Sequence, residues 1–268
     1  MKNLIVANYQ RENQSFDTIE PFVKAQIENS LDLDWAIEDI LFISNFDYEY
    51  MGVEAIVADL NVFCMTGSKI FAEEFVINNH LNNNDVIFSH DLDAWQNELF
   101  ECPVFSDIGL SEYSKPRFNG GVRFLKSSAL DNIQDVKNEI IKTQSNKEEP
   151  IINKVLKKPI YKDRVTTLNY TYNVGCSGFV KRYLNAEKPV KVCHFHPNNR
   201  IAWETHTMDR NAINGRSVSE RLETLIRKYF PTIATKLSRE GSSKRILNVV
   251  KNAAIAIKDP IIIKDIKE

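Results

Sequence analysis

Short apolar runs alternate with amphipathic stretches along the first half of the chain: NLIVAN, PFVKAQIENSL, DILFISNF, AIVADLNVF, SKIFAEEFVINNHL and DVIFSHDLD follow one another. Apolar runs bounded by polar turns read as strands, and the stretches between them carry apolar residues at helical spacing. In SKIFAEEFVINNHL the residues Ile70, Phe71, Phe75, Val76 and Leu81 recur with that period, and the NNND that follows reads as a helix stop before the next strand. The alternation predicts an α/β domain with a mostly parallel sheet. Further on, FNGGVRFLKS reads as a strand entered through a Gly-Gly turn, and ALDNIQDVKNEIIKTQ as a helix. EEPIINKVLKK reads as a second helix with Pro150 in its first turn, and VKVCHFHPNN as a strand ending in a polar loop.

Composition narrows the class. Of 268 residues, 43% are hydrophobic and 26% charged, which describes a folded globular chain and excludes a disordered or fibrous one. Cys64, Cys102, Cys176 and Cys193 lie far apart without a C-x-x-C pair, so neither a zinc ribbon nor a disulfide framework is signalled. The first residues turn polar too soon for a signal-peptide core, and no run reaches the roughly 20 apolar residues of a membrane span. A cytoplasmic setting is the expectation. Past Gly215 the texture changes to SVSERLETLIRKYFPTIATKLSREGSSKR and an Ile/Lys-rich tail, with Ser217 and Glu220 spaced as a capping box. This divides the chain into a body, 1–215, and a helical appendage, 216–268.

The chemistry concentrates where the strand expected over Val86–Phe88 ends. Asp91 and Asp93 follow it, in the place where open α/β sheets bind ligands. Two carboxylates one residue apart repel unless a cation lies between them, and oxygen ligands of this kind suit Mg2+ or Mn2+, which bridge carboxylates to substrate phosphates. The alternative is a solvated turn whose acids cap the next segment.

Five stretches in order resemble the GT-A fold nucleotide-sugar glycosyltransferases, and among them the glycogenin-like, bacterial galactosyltransferase-like retaining family. GSKIFAEEF is similar to the helix before the metal motif and places Lys69 against the nucleotide sugar. HDLD is similar to the metal-binding strand end, with Asp91 and Asp93 as ligands. FNGGVRFL is similar to the F-N-x-G-V strand and puts Asn119, Gly120 and Gly121 near the donor sugar. EEPIINKVL followed by TTLNYTYNVG resembles the D-Q-x-x-x-N helix and the L-x-x-x-Y-N segment, with Glu149 at the aspartate. HFHPNNRIAW resembles H-F-x-G-x-x-K-P-W, with His194 as third metal ligand and Arg200 at the lysine that holds the diphosphate. Pro197, Ile201, Ala202 and Pro150 depart from these patterns. The resemblance implies a GT-A sheet flanked by helices, a nucleotide-sugar donor of the UDP kind, Mn2+ or Mg2+, and sugar transfer with retention, with Asp93, Glu149 and Arg200 as catalytic candidates.

The residues support that chemistry in their own right. A metal acting as Lewis acid, with a cationic side chain, neutralises a leaving diphosphate. Asp91, Asp93 and His194 form a mixed oxygen and nitrogen set that tolerates manganese better than magnesium. There is no G-x-x-x-x-G-K-[ST] loop, no G-x-G-x-x-G after the first strand and no G-x-S-x-G elbow, which argues against kinases, dinucleotide dehydrogenases and serine hydrolases. From Arg216 to Lys258 ten Lys or Arg face three acids, a net of +7. That segment suggests either peripheral contact with an anionic membrane while a glycan or lipid-linked sugar is the acceptor, or binding of DNA whose modified bases accept the sugar. An inactive sugar-nucleotide-binding relative is the third reading.

Overall fold

The structure, a computed structural model, describes residues 1–9, 15–60, 67–114, 117–145, 147–207 and 216–231. Its strands are β1 (Lys2–Ala7), β2 (Ile40–Ser44), β3 (Glu49–Tyr50), β4 (Val53–Val57), β5 (Val86–His90), β6 (Ala94–Gln96), β7 (Ile108–Ser114), β8 (Arg117–Lys126), β9 (Val165–Leu168), β10 (Val174–Gly175) and β11 (Val192–His194). The helices are α1 (Glu20–Asp32), α2 (Ser68–Asn79), α3 (Leu130–Thr143), α4 (Glu148–Val155), α5 (Phe179–Asn185), α6 (Arg200–Thr207) and α7 (Glu220–Tyr229).

Eight strands form one sheet in the order β3-β4-β2-β1-β5-β8-β7-β9. The run β4-β2-β1-β5 is parallel and β9 runs parallel to β7, while β3, β5 and β7 meet β4, β8 and β8 antiparallel. The sheet is therefore mixed and mostly parallel, as the alternation of runs predicted. Strands buried on both faces need continuous apolar runs, and β1 and β2 supply them. Leu4, Val6 and Ile87 face one layer, where α2, α3 and α4 pack through Ile70, Val76, Ile133, Val136 and Ile152. Ile5, Phe42, Phe88 and Phe124 face the other, where Ile19 just ahead of α1 and Val23 and Ile27 within it pack.

A second sheet of three short strands, β10-β11-β6, sits beyond the end of β5. It matters for function because β11 pairs with β6 residue for residue, His194 opposite Ala94 and Cys193 opposite Trp95.

Three expectations change. The double glycine is not a turn: Gly120 and Gly121 lie inside β8, where Ile152 and Glu148 of α4 crowd the first and the His194 ring the second. Ser217 is not the helix cap. It is buried against His206, and Ser219 caps α7 by accepting from Leu222 N at 3.3 Å. Finally, α7 packs on α1 inside the compact unit that ends at Phe230, with Phe230 and Phe22 ring centroids 4.7 Å apart. Residues 232–268, the rest of the segment expected as an appendage, lie outside the described residues.

Candidate functional site

The two aspartates converge through a turn rather than through strand periodicity. β5 runs on to His90, Asp91 N donates to Gly121 O (2.8 Å), and Ala94 N donates back to Asp91 O (2.9 Å). The turn reverses the chain into β6, and Phe195 N, just past β11, donates to Asp93 O (2.9 Å). This pairing carries His194 across about 100 residues of sequence to the turn. Its Nε2 stands 3.2 Å from Asp93 Oδ1 and 3.6 Å from Asp91 Oδ2. One ligand atom from each of Asp91, Asp93 and His194 fits within a 4.8 Å cluster, the only such metal-ligand group among the described residues.

The Nδ1 side of the imidazole is held by a hydrogen bond. Asn173 Nδ2 donates to Asn119 Oδ1 (2.7 Å), so Asn173 Oδ1 is left to accept from His194 Nδ1 (3.1 Å). With the proton on Nδ1, Nε2 faces the carboxylates, donating to Asp93 while the ring is protonated and offering a lone pair once it is neutral, as in metal sites whose other ring nitrogen is held by a hydrogen bond. Burial lowers the His194 pKa, but Asp93 and then Asp91 outweigh it, so the ring titrates above its ordinary value. Asp93 moves the opposite way: burial raises it, and His194 brings it below the usual carboxylate range. Gly121 makes this packing possible, since a Cβ there would stand 2.1 Å from His194 Cε1.

Lys69, at the start of α2 and only 5% exposed, already places a cation on this cluster. Its Nζ donates to Asp91 Oδ1 (2.5 Å) and Gly120 O (2.7 Å) and lies 3.7 Å from Glu148 Oε1. Glu148 is buried, which pushes its pKa up to about 7 against the opposing pull of Lys69 and Arg123. Behind it Arg123 Nη2 pairs with Glu73 Oε1 at 2.7 Å, and Ser89 Oγ donates to the same oxygen at 2.5 Å. Asn119, whose Oδ1 also accepts from Gly121 N (2.9 Å), donates from Nδ2 to Glu149 Oε2 (3.0 Å).

These groups line a cavity of about 820 Å³ at the carboxyl ends of β1 and β5, a volume that suits a ligand of nucleotide-sugar size. Asp91, Asp93, His194, Lys69, Asn119, Gly120, Gly121 and Glu149 all border it. At the end of β1, Asn8 borders it too, and both polar atoms of its buried side chain lack a partner among the described residues. Arg200 does not. Asn199 accepts from Ala202 N through its side chain (3.1 Å) and so caps α6 just ahead of it, and Arg200 Nε turns to Glu204 Oε1 one turn on (2.7 Å). His196 also borders the cavity, on the same side as His194, as residues two apart in an extended stretch do.

Sequence reasoning left Glu148 unassigned and gave no role to Asn173, the last residue of the L-x-x-x-Y-N segment. For Glu148 a signal existed: in D-Q-x-x-x-N the acid stands five residues before the asparagine. Counted back from Asn153, which clamps Phe118 of β8 by two hydrogen bonds of 2.8 Å, that residue is Glu148, and Glu149 takes the glutamine's place.

The basic residues of the described C-terminal part are engaged within the body. Arg216 and Arg227 pair with Glu223, Arg221 bonds Asn29 Oδ1 (2.9 Å), and Lys228 holds Glu28 (2.7 Å). No helix among the described residues is long and apolar enough to cross a membrane.

Neither a protein-family model nor a curated protein matches the chain. Solved structures do. The galactosyltransferase LgtC, in complex with donor and acceptor sugar analogues, superposes with a TM-score of 0.54 at 13% identity over 85% of this chain and 96% of its own. The bifunctional glycosyltransferase WbbM superposes at 0.51 and 11% identity, over 93% of this chain and 51% of its own. An active-site variant of LgtC does so at 0.50 and 11% identity, over 92% and 99%. With its mostly parallel sheet and the D-x-D turn at the end of β5, the chain has the GT-A glycosyltransferase fold.

Proposed function

We propose that the protein is a metal-dependent glycosyltransferase that moves a sugar from a nucleotide-sugar donor to an acceptor hydroxyl. The observation that carries the reading is the Asp91, Asp93 and His194 cluster at the carboxyl end of β5, with His194 Nε2 turned toward both carboxylates. The residues fit a divalent ion. Two hard oxygens and one imidazole nitrogen suit Mn2+ or Mg2+, and Lys69 Nζ stands on Asp91 as a stand-in cation. A bound ion would neutralise the diphosphate as it leaves.

The chain's own groups divide the remaining work. Asn8 offers the cavity a buried amide that has no partner among the described residues. Lys69 is placed to shift from Asp91 toward donor oxygens. Asn119, fixed from three sides, orients Glu149, whose second oxygen is left for the hydroxyls of the bound sugar. The acceptor is taken to be a sugar hydroxyl, the kind of acceptor in the LgtC complex. The described basic residues, being engaged within the body, give no support to DNA or an anionic surface. Retention and a UDP-linked donor follow from the family resemblance alone.

The test is a thermal-shift screen of nucleotide sugars and nucleoside diphosphates with and without Mn2+, followed by a transfer assay on oligosaccharides. Stabilisation by one nucleotide sugar that depends on Mn2+ is the expected result. Binding without transfer or hydrolysis would turn the reading toward an inactive relative, and no binding would overturn it.

A further inference from the structure

The face that α1 turns toward the D-x-D turn is polar although fully buried. Gln26, Asn29 and Ser30 are each 2% exposed or less, in a helix that packs on an apolar core. Buried amides are costly unless each finds its partner, so their partners matter. Gln26 Nε2 donates one hydrogen to Leu92 O (2.8 Å) and the other to Ala94 O (3.0 Å), the two carbonyls that flank Asp93. Asn29 Nδ2, one turn on, donates to Gln96 O (3.0 Å) at the far end of β6. Ser30 Oγ donates to Gln26 O (2.8 Å) and accepts from Asn3 Nδ2 (2.8 Å), whose Oδ1 lies 3.0 Å from His90 Nε2. Gln26 thus reaches the turn and the start of β6, Asn29 the end of β6, and Ser30, through Asn3 of β1, the last residue of β5.

From this geometry we infer that Gln26 is a positioning residue for the metal site. It holds the backbone on both sides of Asp93 so that the carboxylate stays at the distance from His194 that a shared ion requires. The inference rests on the reading of Asp91, Asp93 and His194 as ligands of a divalent ion. An amide suits the task because it has two donor hydrogens and no charge, so the grip persists whether or not an ion is bound. Within the turn Ala94 N donates to Asp91 O, and among the described residues Gln26 Nε2 is the side-chain donor to both Leu92 O and Ala94 O.

The experiment measures Mn2+ affinity of the full chain by the EPR signal of free Mn2+, beside stability in urea. Gln26→Leu is compared with Val23→Ala, a core truncation on the same helix that touches neither carbonyl. Gln26→Leu should weaken Mn2+ about tenfold or more, the range found when supports behind metal ligands are removed. Val23→Ala should lose stability while keeping Mn2+ affinity within about twofold. If Gln26→Leu does not fold, Gln26→Asn serves: its amide is one methylene too short to span both carbonyls, so Mn2+ should again weaken. Wild-type affinity in a folded Gln26 variant, or equal losses in both helix variants, would overturn the inference. A wild-type protein that binds no Mn2+ would overturn the metal reading itself and this inference with it.

Discussion

Two helices grip the same turn with opposite chemistry. On the α1 side Gln26 and Asn29 reach the main chain with neutral amides, whereas on the α2 side Lys69 reaches the Asp91 carboxylate with a charge and Glu73 meets Arg123 behind it. Amide bonds to carbonyls keep their strength when pH or metal changes. Ion pairs do not, because each partner answers to every other charge nearby. The site thus draws its geometry from one side and its electrostatic response from the other, and each side can be broken separately.

The largest effect belongs to the deepest charges. Glu73 and Arg123 are 0% and 2% exposed in their side chains and lie 2.7 Å apart. Glu73→Ala leaves the guanidinium buried without its partner, so urea denaturation should show a loss of about 3–5 kcal/mol. A smaller loss would mean that Glu148 takes over the pairing and that the α2 side has a spare carboxylate.

Next comes the site proper. Asp93→Asn removes the charge nearest His194 and should weaken Mn2+ at least about 100-fold, or roughly 2.7 kcal/mol, with little change in folding. Mn2+ titration of the folded variant decides it. Retained affinity would move the site off the D-x-D turn.

How much of this was legible in the sequence follows the same division. The core strands were, because strands buried on both faces must be apolar throughout, and so was α2, whose period is helical. Asp91 and Asp93 were legible because acids at a strand end stand out against the run before them. His194 could be proposed only by resemblance, since its approach depends on the pairing of β11 with β6, and nothing local in three-residue strands announces a partner about 100 residues away. Gln26 gave no signal. A glutamine grouped with Asn29 and Ser30 reads as a solvated helix face until the carbonyls it serves are located. The double glycine misled because Gly-Gly is turn chemistry in general, whereas here the missing Cβ at Gly121 makes room for the His194 ring.

Glu148 gives a pH test of the charged side. Its folded pKa, raised to about 7 chiefly by burial, exceeds the ordinary 4.5, so the folded state holds a proton that the unfolded state has released between those values. The stabilisation is present in full below pH 4.5 and is lost as pH rises through 7, about 2 kcal/mol between pH 5 and 7.5. Urea denaturation of wild type against Glu148→Gln should show that decline in the first and its absence in the second. The Gln26 contacts predict no such pH dependence, so parallel slopes in the two proteins would blur the contrast between the helices.

The smallest effect has the most telling sign. Lys69 Nζ sits on Asp91 Oδ1 where a divalent ion would compete with it, so the ion must displace a cation to bind. Lys69→Met removes that competitor, and the neighbouring Glu148, already prone to hold a proton, can stay neutral without its partner. Mn2+ alone should then bind a few-fold more tightly, less than about 1 kcal/mol. A nucleoside diphosphate offered with Mn2+ should bind more weakly, because the phosphate oxygens lose a charge-assisted donor. Isothermal titration of each ligand separates the two. Opposite shifts mean that the α2 side exchanges one cation for another around a turn that α1 keeps still. Weakening of both would show that Lys69 holds Asp91 in place, making it a second geometric support rather than the responsive element.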